Sequence, residues 1–243
     1  MNPARRKQKK NTGALVLLRH GESRFNELNV FTGWLDVPLT VKGIEEAHAA
    51  ARHCKQFSYD AVFTSHLERA HETLLIALSY QKKTGVFQHE SMKQYDISMH
   101  AQSLLEPITI PVFTSRALNE RAYGDLQGMD KSAAVKKYGD DQVFKWRRGY
   151  MDCPPRGESL RDVYKRVMPY FQKMIVPRLQ RSETLLMVGH GNALRALIKF
   201  MDKIRDDDIS FVDLPFGHPL VYHYCKGAFE RVEGEYDFTR KLR

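Results

Sequence analysis

Two short apolar runs in this chain end at the same kind of step. Ala14–Leu18 stops at Arg19-His20-Gly21, and Leu185–Val188 stops at Gly189-His190-Gly191. Such runs are too short for helices and lack the alternation of a half-exposed strand. They read as strands buried on both faces, which is the pattern of a parallel sheet. Amphipathic stretches lie between them. Thr40–Phe57 sets Ile44, Ala47, Ala51 and Cys54 at helical spacing behind Thr40, a residue suited to capping. Tyr59–Thr64 predicts a second strand and Leu67 to about Tyr80 a helix. A further helix follows His190 through Phe200, and Val221–Cys225 predicts a last strand. The expected fold is α/β in three layers, with a mainly parallel central sheet flanked by helices on both faces.

Two segments fall outside this alternation. Gln81–Arg116 has weak periodicity and carries Gly85, Pro107 and Pro111. It is expected to be an insertion, at about 81–116, with little regular structure. Residues 1–13 hold Arg5, Arg6, Lys7, Lys9 and Lys10, and no acid appears in the first ten positions. That composition reads as a solvated, disordered basic tail rather than a nucleic-acid contact. Residues 14–243 then form a single catalytic domain.

A chain of 243 residues buries enough surface to fold without disulfides. Cys54, Cys153 and Cys225 are odd in number and lack metal-type spacing, which points to a reducing, cytoplasmic setting. No apolar run approaches the ~20 residues that span a bilayer. The amino-terminal stretch has no apolar leader core. The formal charge of +9 suits an anionic small substrate, because a basic cleft concentrates phosphates.

Ligands on parallel sheets bind at the carboxyl ends of the strands. Arg19-His20-Gly21, Ser65 with Arg69, and His190-Gly191-Asn192 each follow a strand at that edge. A neutral imidazole is a competent nucleophile toward phosphorus when its other nitrogen holds the proton. Arg19 offers a planar fork matched to phosphate oxygens, and Gly21 is read as letting the backbone approach a phosphate. Two histidines with several arginines make a phosphoryl-transfer pocket, with Arg69 as a further clamp. A zinc site is the rival for paired histidines, but no H-E-x-x-H or cysteine partner accompanies them. Leu118–Gly124 supplies Glu120 as a proton donor, and Arg147-Arg148 can hold a carboxylate or a second phosphate.

These pieces resemble the cofactor-dependent phosphoglycerate mutases of the histidine phosphatase superfamily. The resemblance lies in L-R-H-G-E-S-R-F-N-E-L-N-V-F-T-G-W-L-D-V-P-L-T-V-K-G (Leu18–Gly43) and F-T-S-H-L-E-R-A (Phe63–Ala70). It continues in L-N-E-R-A-Y-G-D-L-Q-G (Leu118–Gly128), W-R-R-G (Trp146–Gly149), G-E-S-L (Gly157–Leu160) and G-H-G-N-A-L-R-A-L (Gly189–Leu197). The resemblance implies that His20 is the phosphorylated nucleophile, Glu120 the proton shuttle and His190 the stabiliser of the transferring group. It implies a phosphate pocket of Arg19, Ser23, Asn26, Arg69, Gly191 and Asn192. Thr32 and Gly33 would touch the substrate from a turn. Arg121, Tyr123, Lys131, Arg147 and Arg148 would contact the substrate and 2,3-bisphosphoglycerate, the implied phosphoryl primer. No metal is implied. The expected activity interconverts 3- and 2-phosphoglycerate in glycolysis and gluconeogenesis. The expected partners are a small phosphorylated carboxylate, no nucleic acid and no membrane, with homo-oligomers among the states the family adopts.

The chain departs from the family pattern in places. Phe25 stands where a tryptophan is usual, and Ala122 where a His or Tyr is usual. Glu120 follows Arg69 by 51 positions, a longer gap than usual, while Arg148 to Glu158 is shorter than in long bacterial forms. The residues after Tyr224 show no counterpart of the tail that covers the site in long forms. A poorly covered phosphohistidine loses its phosphoryl group to water. The alternative is therefore a histidine phosphatase acting on a small phosphomonoester. A non-catalytic binding protein using the basic tail is a third reading, and it predicts that loss of His20 has no effect.

Overall fold

The computed structural model describes residues 12–88 and 103–232. The expected basic tail lies outside them except for Thr12 and Gly13. Fourteen residues within the expected insertion, 89–102, also lie outside.

The chain runs β1 (Gly13–Arg19), α1 (Arg24–Glu27), α2 (Val41–Cys54), β2 (Ala61–Thr64), α3 (Glu68–Leu78), β3 (Thr84–Phe87) and β4 (Thr109–Thr114). It continues with α4 (Lys131–Tyr138), α5 (Asp140–Arg148), α6 (Leu160–Tyr170) and α7 (Val176–Gln180). Then come β5 (Thr184–Gly189), α8 (Gly191–Met201), β6 (Leu220–Cys225) and β7 (Ala228–Arg231). The strands form one sheet in the order β3-β4-β2-β5-β1-β6-β7. Pairing is parallel from β3 through β1, and antiparallel where β6 meets β1 and β7 meets β6.

The apolar runs become the middle of the sheet because both faces of β1 and β5 are covered. Successive side chains of a strand point to opposite faces. Leu15 and Leu17, with Leu185 and Met187, join the core beneath α6 and α8. Val16 and Leu18, with Leu186 and Val188, join the core against α2 and α3. A third, smaller core gathers Phe31, Leu126, Ala134, Val143 and Trp146 beside the sheet. The Thr40 cap forms as expected, its hydroxyl accepting the Gly43 N–H at 3.0 Å.

Three expectations need correction. The 81–116 stretch is not poor in regular structure: its described ends are β3 and β4, two strands of the central sheet. Their half-exposed side chains and Pro111 hide them from a search for apolar runs. The second correction concerns Gly21. A Cβ there would lie 2.1 Å from the Gly43 carbonyl oxygen, and one on Gly43 would lie 2.0 Å from the Glu22 carbonyl oxygen. The two glycines let the end of β1 pack against the first turn of α2, so Gly21 serves backbone packing rather than approach to a phosphate. Finally, Val221–Cys225 is not the last strand, since β7 follows it.

Candidate active site

The carboxyl ends of β1, β2 and β5 lie side by side, and each hands the chain to the site. Arg19 pairs with Gly189 in the β1–β5 register, and the His20 N–H donates to the Gly189 carbonyl at 3.0 Å. His20 and His190, the next residues on their strands, therefore meet with ring centroids 5.0 Å apart. Both are buried.

Their tautomers follow from their partners. His20 Nδ1 lies 2.7 Å from the Gly21 carbonyl oxygen, which can only accept. The proton is thus on Nδ1, and Nε2 carries the lone pair. Ser65 Oγ accepts the Leu67 N–H at 3.1 Å and lies 2.7 Å from His190 Nε2. The Ser65 hydroxyl proton is assigned to that nitrogen, which puts the His190 proton on Nδ1. That Nδ1 is buried with no partner among the described residues. Burial, reinforced by Arg69 and Arg19, holds the His20 imidazole well below the ordinary histidine range. Burial does the same to His190, with Arg69, His20, Arg19 and Arg166 adding to it. Both rings are neutral at neutral pH, as a nucleophile and a hydrogen-bond donor require.

A cleft of about 140 Å³ opens in front of these rings. Its wall includes Arg19, His20, Asn26, Thr32, Gly33, Arg69, Glu120, Tyr123, Lys131, Arg147, Arg148, Gly191 and Asn192. The structure thus brings most of the expected site residues onto one surface. Three stand behind that surface. His190 packs against His20 from below. Ser23 is buried and spends its hydroxyl and N–H on Asn26 Oδ1, at 2.8 and 3.1 Å, so it orients Asn26. Arg121 is buried, donates to the Tyr123 hydroxyl at 3.2 Å and to the Arg147 carbonyl, and keeps Nε and Nη1 unpartnered among the described residues.

Arg69 is buried and held by the carbonyls of Leu35 and Gly33, at 3.1 and 2.9 Å. Burial pulls its guanidinium down to about 10. Gly33 adopts φ +56°, and any Cβ there would collide with Gln127 Oε1. That same oxygen accepts the N–H groups of Trp34 and Tyr123. The Thr32-Gly33 turn is in this way fixed to the Glu120–Gln127 segment.

Glu120 sits at the amino end of α8. Its carboxylate accepts the Asn192 N–H at 3.2 Å and the Arg121 N–H at 2.6 Å. The helix terminus favours negative charge at that spot. The Glu120 carbonyl is held separately by Trp34 Nε1 and by Arg166.

Several contributors escaped the sequence reading. Arg195, Asp213 and Leu214 also line the cleft. Arg195 is buried on α8, ties Asn192 Oδ1 to the carbonyls of Arg148 and Ile209, and is pulled down to about 9 by burial. Arg166 grips Glu158 with two bonds of 2.8 and 2.9 Å, and also holds the carbonyls of Ala117, Asn119 and Glu120. The L-R-A-L of Leu194–Leu197 and the G-E-S-L of Gly157–Leu160 were visible, but an arginine on a helix reads as a solvated charge until its packing is known.

The lining carries six cations (Arg19, Arg69, Lys131, Arg147, Arg148, Arg195) against two carboxylates, Glu120 and Asp213. Crowded, desolvated cations lower one another's pKa values, and an anion relieves both penalties. Among the described residues no group of three or more His, Cys, Asp or Glu side chains is placed to hold a metal ion. Among the same residues no helix is long and apolar enough to cross a membrane.

A mainly parallel α/β sheet with a buried, neutral histidine pair, one of whose rings lines a cationic cleft, suits phosphohistidine chemistry. Residues 15–97 and 98–216 match the profile of the histidine phosphatase superfamily (branch 1), and the chain is a member of it. The 2,3-bisphosphoglycerate-dependent phosphoglycerate mutase of Chlamydia felis is 44% identical over 219 residues, covering 89% of this chain and 96% of the relative. That of Chlamydia pneumoniae is 41% identical over the same shares. Within the superfamily, the chain belongs to the 2,3-bisphosphoglycerate-dependent phosphoglycerate mutase family. In fold it is similar to Bacillus stearothermophilus YhfR, with a TM-score of 0.72 at 24% identity over 93% of this chain and 98% of that one. It is similar also to a putative alpha-ribazole-5'-P phosphatase of Escherichia coli, with a TM-score of 0.69 at 22% identity over 90% and 94%.

Proposed function

We propose that this chain interconverts 3-phosphoglycerate and 2-phosphoglycerate, with His20 as phosphoryl carrier and 2,3-bisphosphoglycerate as primer. The observation that carries this reading is the His20 tautomer. Its Nδ1 proton is spent on Gly21, which leaves the Nε2 lone pair for the cationic cleft.

In the transfer, the Nε2–P bond forms as the bond from phosphorus to the departing oxygen breaks. Glu120, as the carboxylic acid, gives that oxygen its proton. The return transfer reverses each change on the neighbouring hydroxyl, and Glu120 takes the proton back. Arg19, Arg69, Asn26 and the Gly191-Asn192 helix terminus hold the phosphoryl oxygens. His190 donates from Nδ1 as charge builds on them. Thr32, Gly33, Tyr123, Lys131, Arg147 and Arg148 hold the carboxylate and a second phosphate, with Ser23 and Arg121 steadying them from behind. The buried, unpartnered Nε donors of Arg19 and Arg195, both on the cleft lining, fit the phosphates of 2,3-bisphosphoglycerate, which supplies the first phosphoryl group. The same reading puts the enzyme in glycolysis and gluconeogenesis, working in the cytoplasm.

The test is to incubate the protein with 3-phosphoglycerate, with and without catalytic 2,3-bisphosphoglycerate, and follow 2-phosphoglycerate and free phosphate. Primed isomer formation is expected, and H20A abolishes it. Phosphate release without isomer would overturn the mutase in favour of the phosphatase. Turnover by H20A would overturn the mechanism itself.

A further inference from the structure

We propose that Phe216 is a positioning residue that fixes Arg19 and shields the phosphorylated face of His20 from water. This rests on the phosphohistidine reading above. The Phe216 ring lies with its face 4.0 Å from the Arg19 guanidinium carbon and its centroid 5.9 Å from that of His20. The one side chain thus touches both the phosphate clamp and the nucleophile.

The segment that carries the ring is anchored on both sides. Arg19 Nη1 donates to the Leu214 carbonyl. Arg148 reaches the Val212 carbonyl at 3.3 Å and pairs with Asp213 at 3.4 Å. His218 Nδ1 donates to the Phe216 carbonyl at 2.9 Å. Gly217 adopts φ +72° and brings the backbone against Glu46, where a Cβ would lie 3.0 Å from its carbonyl oxygen. Pro215 and Pro219 stiffen the same turn.

A planar cation over a ring face loses rotamer freedom while keeping its in-plane donors. Arg19 has one terminal nitrogen on Leu214, and its Nε is buried without a partner among the described residues. Held over the Phe216 ring, Arg19 keeps its Nε free for a phosphate oxygen. The apolar ring also fills space beside the His20 imidazole, with centroids 5.9 Å apart, and keeps water out of the volume it occupies. Hydrolysis forms an O–P bond from water and breaks P–Nε2, whose electron pair returns to the nitrogen while the water proton leaves to Glu120 or solvent. Excluding that water favours transfer to a substrate hydroxyl.

The experiment phosphorylates the full chain with phosphoramidate, a reagent that needs no phosphoglycerate chemistry, and follows decay of the phosphohistidine in buffer. F216A is expected to shorten its lifetime about tenfold. F216Y, which keeps the ring face, is expected to restore it to within about twofold. With 3-phosphoglycerate and primer, F216A is expected to raise phosphate release relative to isomer formation. Equal lifetimes for wild type and F216A, with both folded by circular dichroism, would overturn the proposal. So would a lifetime that F216Y fails to restore. A wild-type protein that phosphorylates but forms no isomer would overturn the mutase reading and leave the role of Phe216 to be decided by the lifetimes.

Discussion

His20 and His190 face each other across 5.0 Å because two parallel strands pair in register and end together. Their neighbours Arg19 and Gly189 are partners in the ladder, so any one-residue slip of β5 would turn His190 to the other face of the sheet. The pair therefore depends on the same hydrogen bonds that build the core.

The division of labour within the pair predicts a kinetic signature. In the proposed mechanism His190 stabilises the transferring group, and its ring lies behind the cleft wall against His20. H190A should lower kcat about 10²- to 10³-fold, with KM changed less than about threefold. Steady-state kinetics on 3-phosphoglycerate decide it. A change confined to KM would remove His190 from the transfer step and make it a binding residue.

Stability should fall on the acid side. Both imidazoles are held well below the ordinary value of 6.5, chiefly by burial. The unfolded chain thus binds more protons than the folded one below pH 6.5. Stability is complete above that pH and declines as pH falls, by up to about 1.4 kcal/mol per pH unit for each histidine. Urea unfolding should show a larger loss of stability between pH 7 and pH 5 in wild type than in an H20N/H190N double variant. Equal differences would show that other groups carry the acid sensitivity.

Lys131 gives the opposite limb. Burial, aided by Arg147 and Arg19, pulls its ammonium down to about 8. It loses its charge as pH rises through that value, and with it the attraction for an anionic substrate. The prediction is a fall in kcat/KM above about pH 8, which reports the free enzyme. K131R keeps its charge throughout this range and should move the limb upward. Superimposable profiles for the two proteins would assign the limb elsewhere.

What the sequence made readable follows the same physics. β1 and β5 announce themselves because both faces are buried, so nearly every position is apolar. β3 and β4 do not, because they lie toward one edge and alternate between exposed and covered positions. Pro111 argues against a strand on local grounds. The ladder accommodates it because pairing with β2 begins at Val112, one residue beyond. Within the site, residues beside a glycine at a strand end were legible from local context. Arg166, Arg195 and Phe216 were not, since their roles come from packing against other parts of the chain. Glu158 lies eight residues from Arg166, two helix turns and a cap away, and Arg19 lies at the far end of the sequence from Phe216.

Arg166 supplies the last prediction. Its guanidinium satisfies the backbone carbonyls of Ala117, Asn119 and Glu120, while Nε and Nη2 bond the two carboxylate oxygens of Glu158. Glu158 in turn accepts the Ala122 N–H at 2.8 Å. The pair therefore clamps the segment that carries Glu120 from two sides, with side chains 19% and 20% exposed, so removing one partner leaves the other charge poorly solvated. R166A should cost about 2–4 kcal/mol in urea unfolding, and E158Q less, since the amide keeps part of the bonding. A lysine cannot reproduce the fork, so R166K should not rescue. If Glu120 carries the proton as proposed, its misplacement should lower kcat more than it raises KM, by about 10- to 100-fold in the R166K variant. A folded R166K enzyme with wild-type kcat would show that the Glu120 carboxylate is oriented by Asn192 and Arg121 alone.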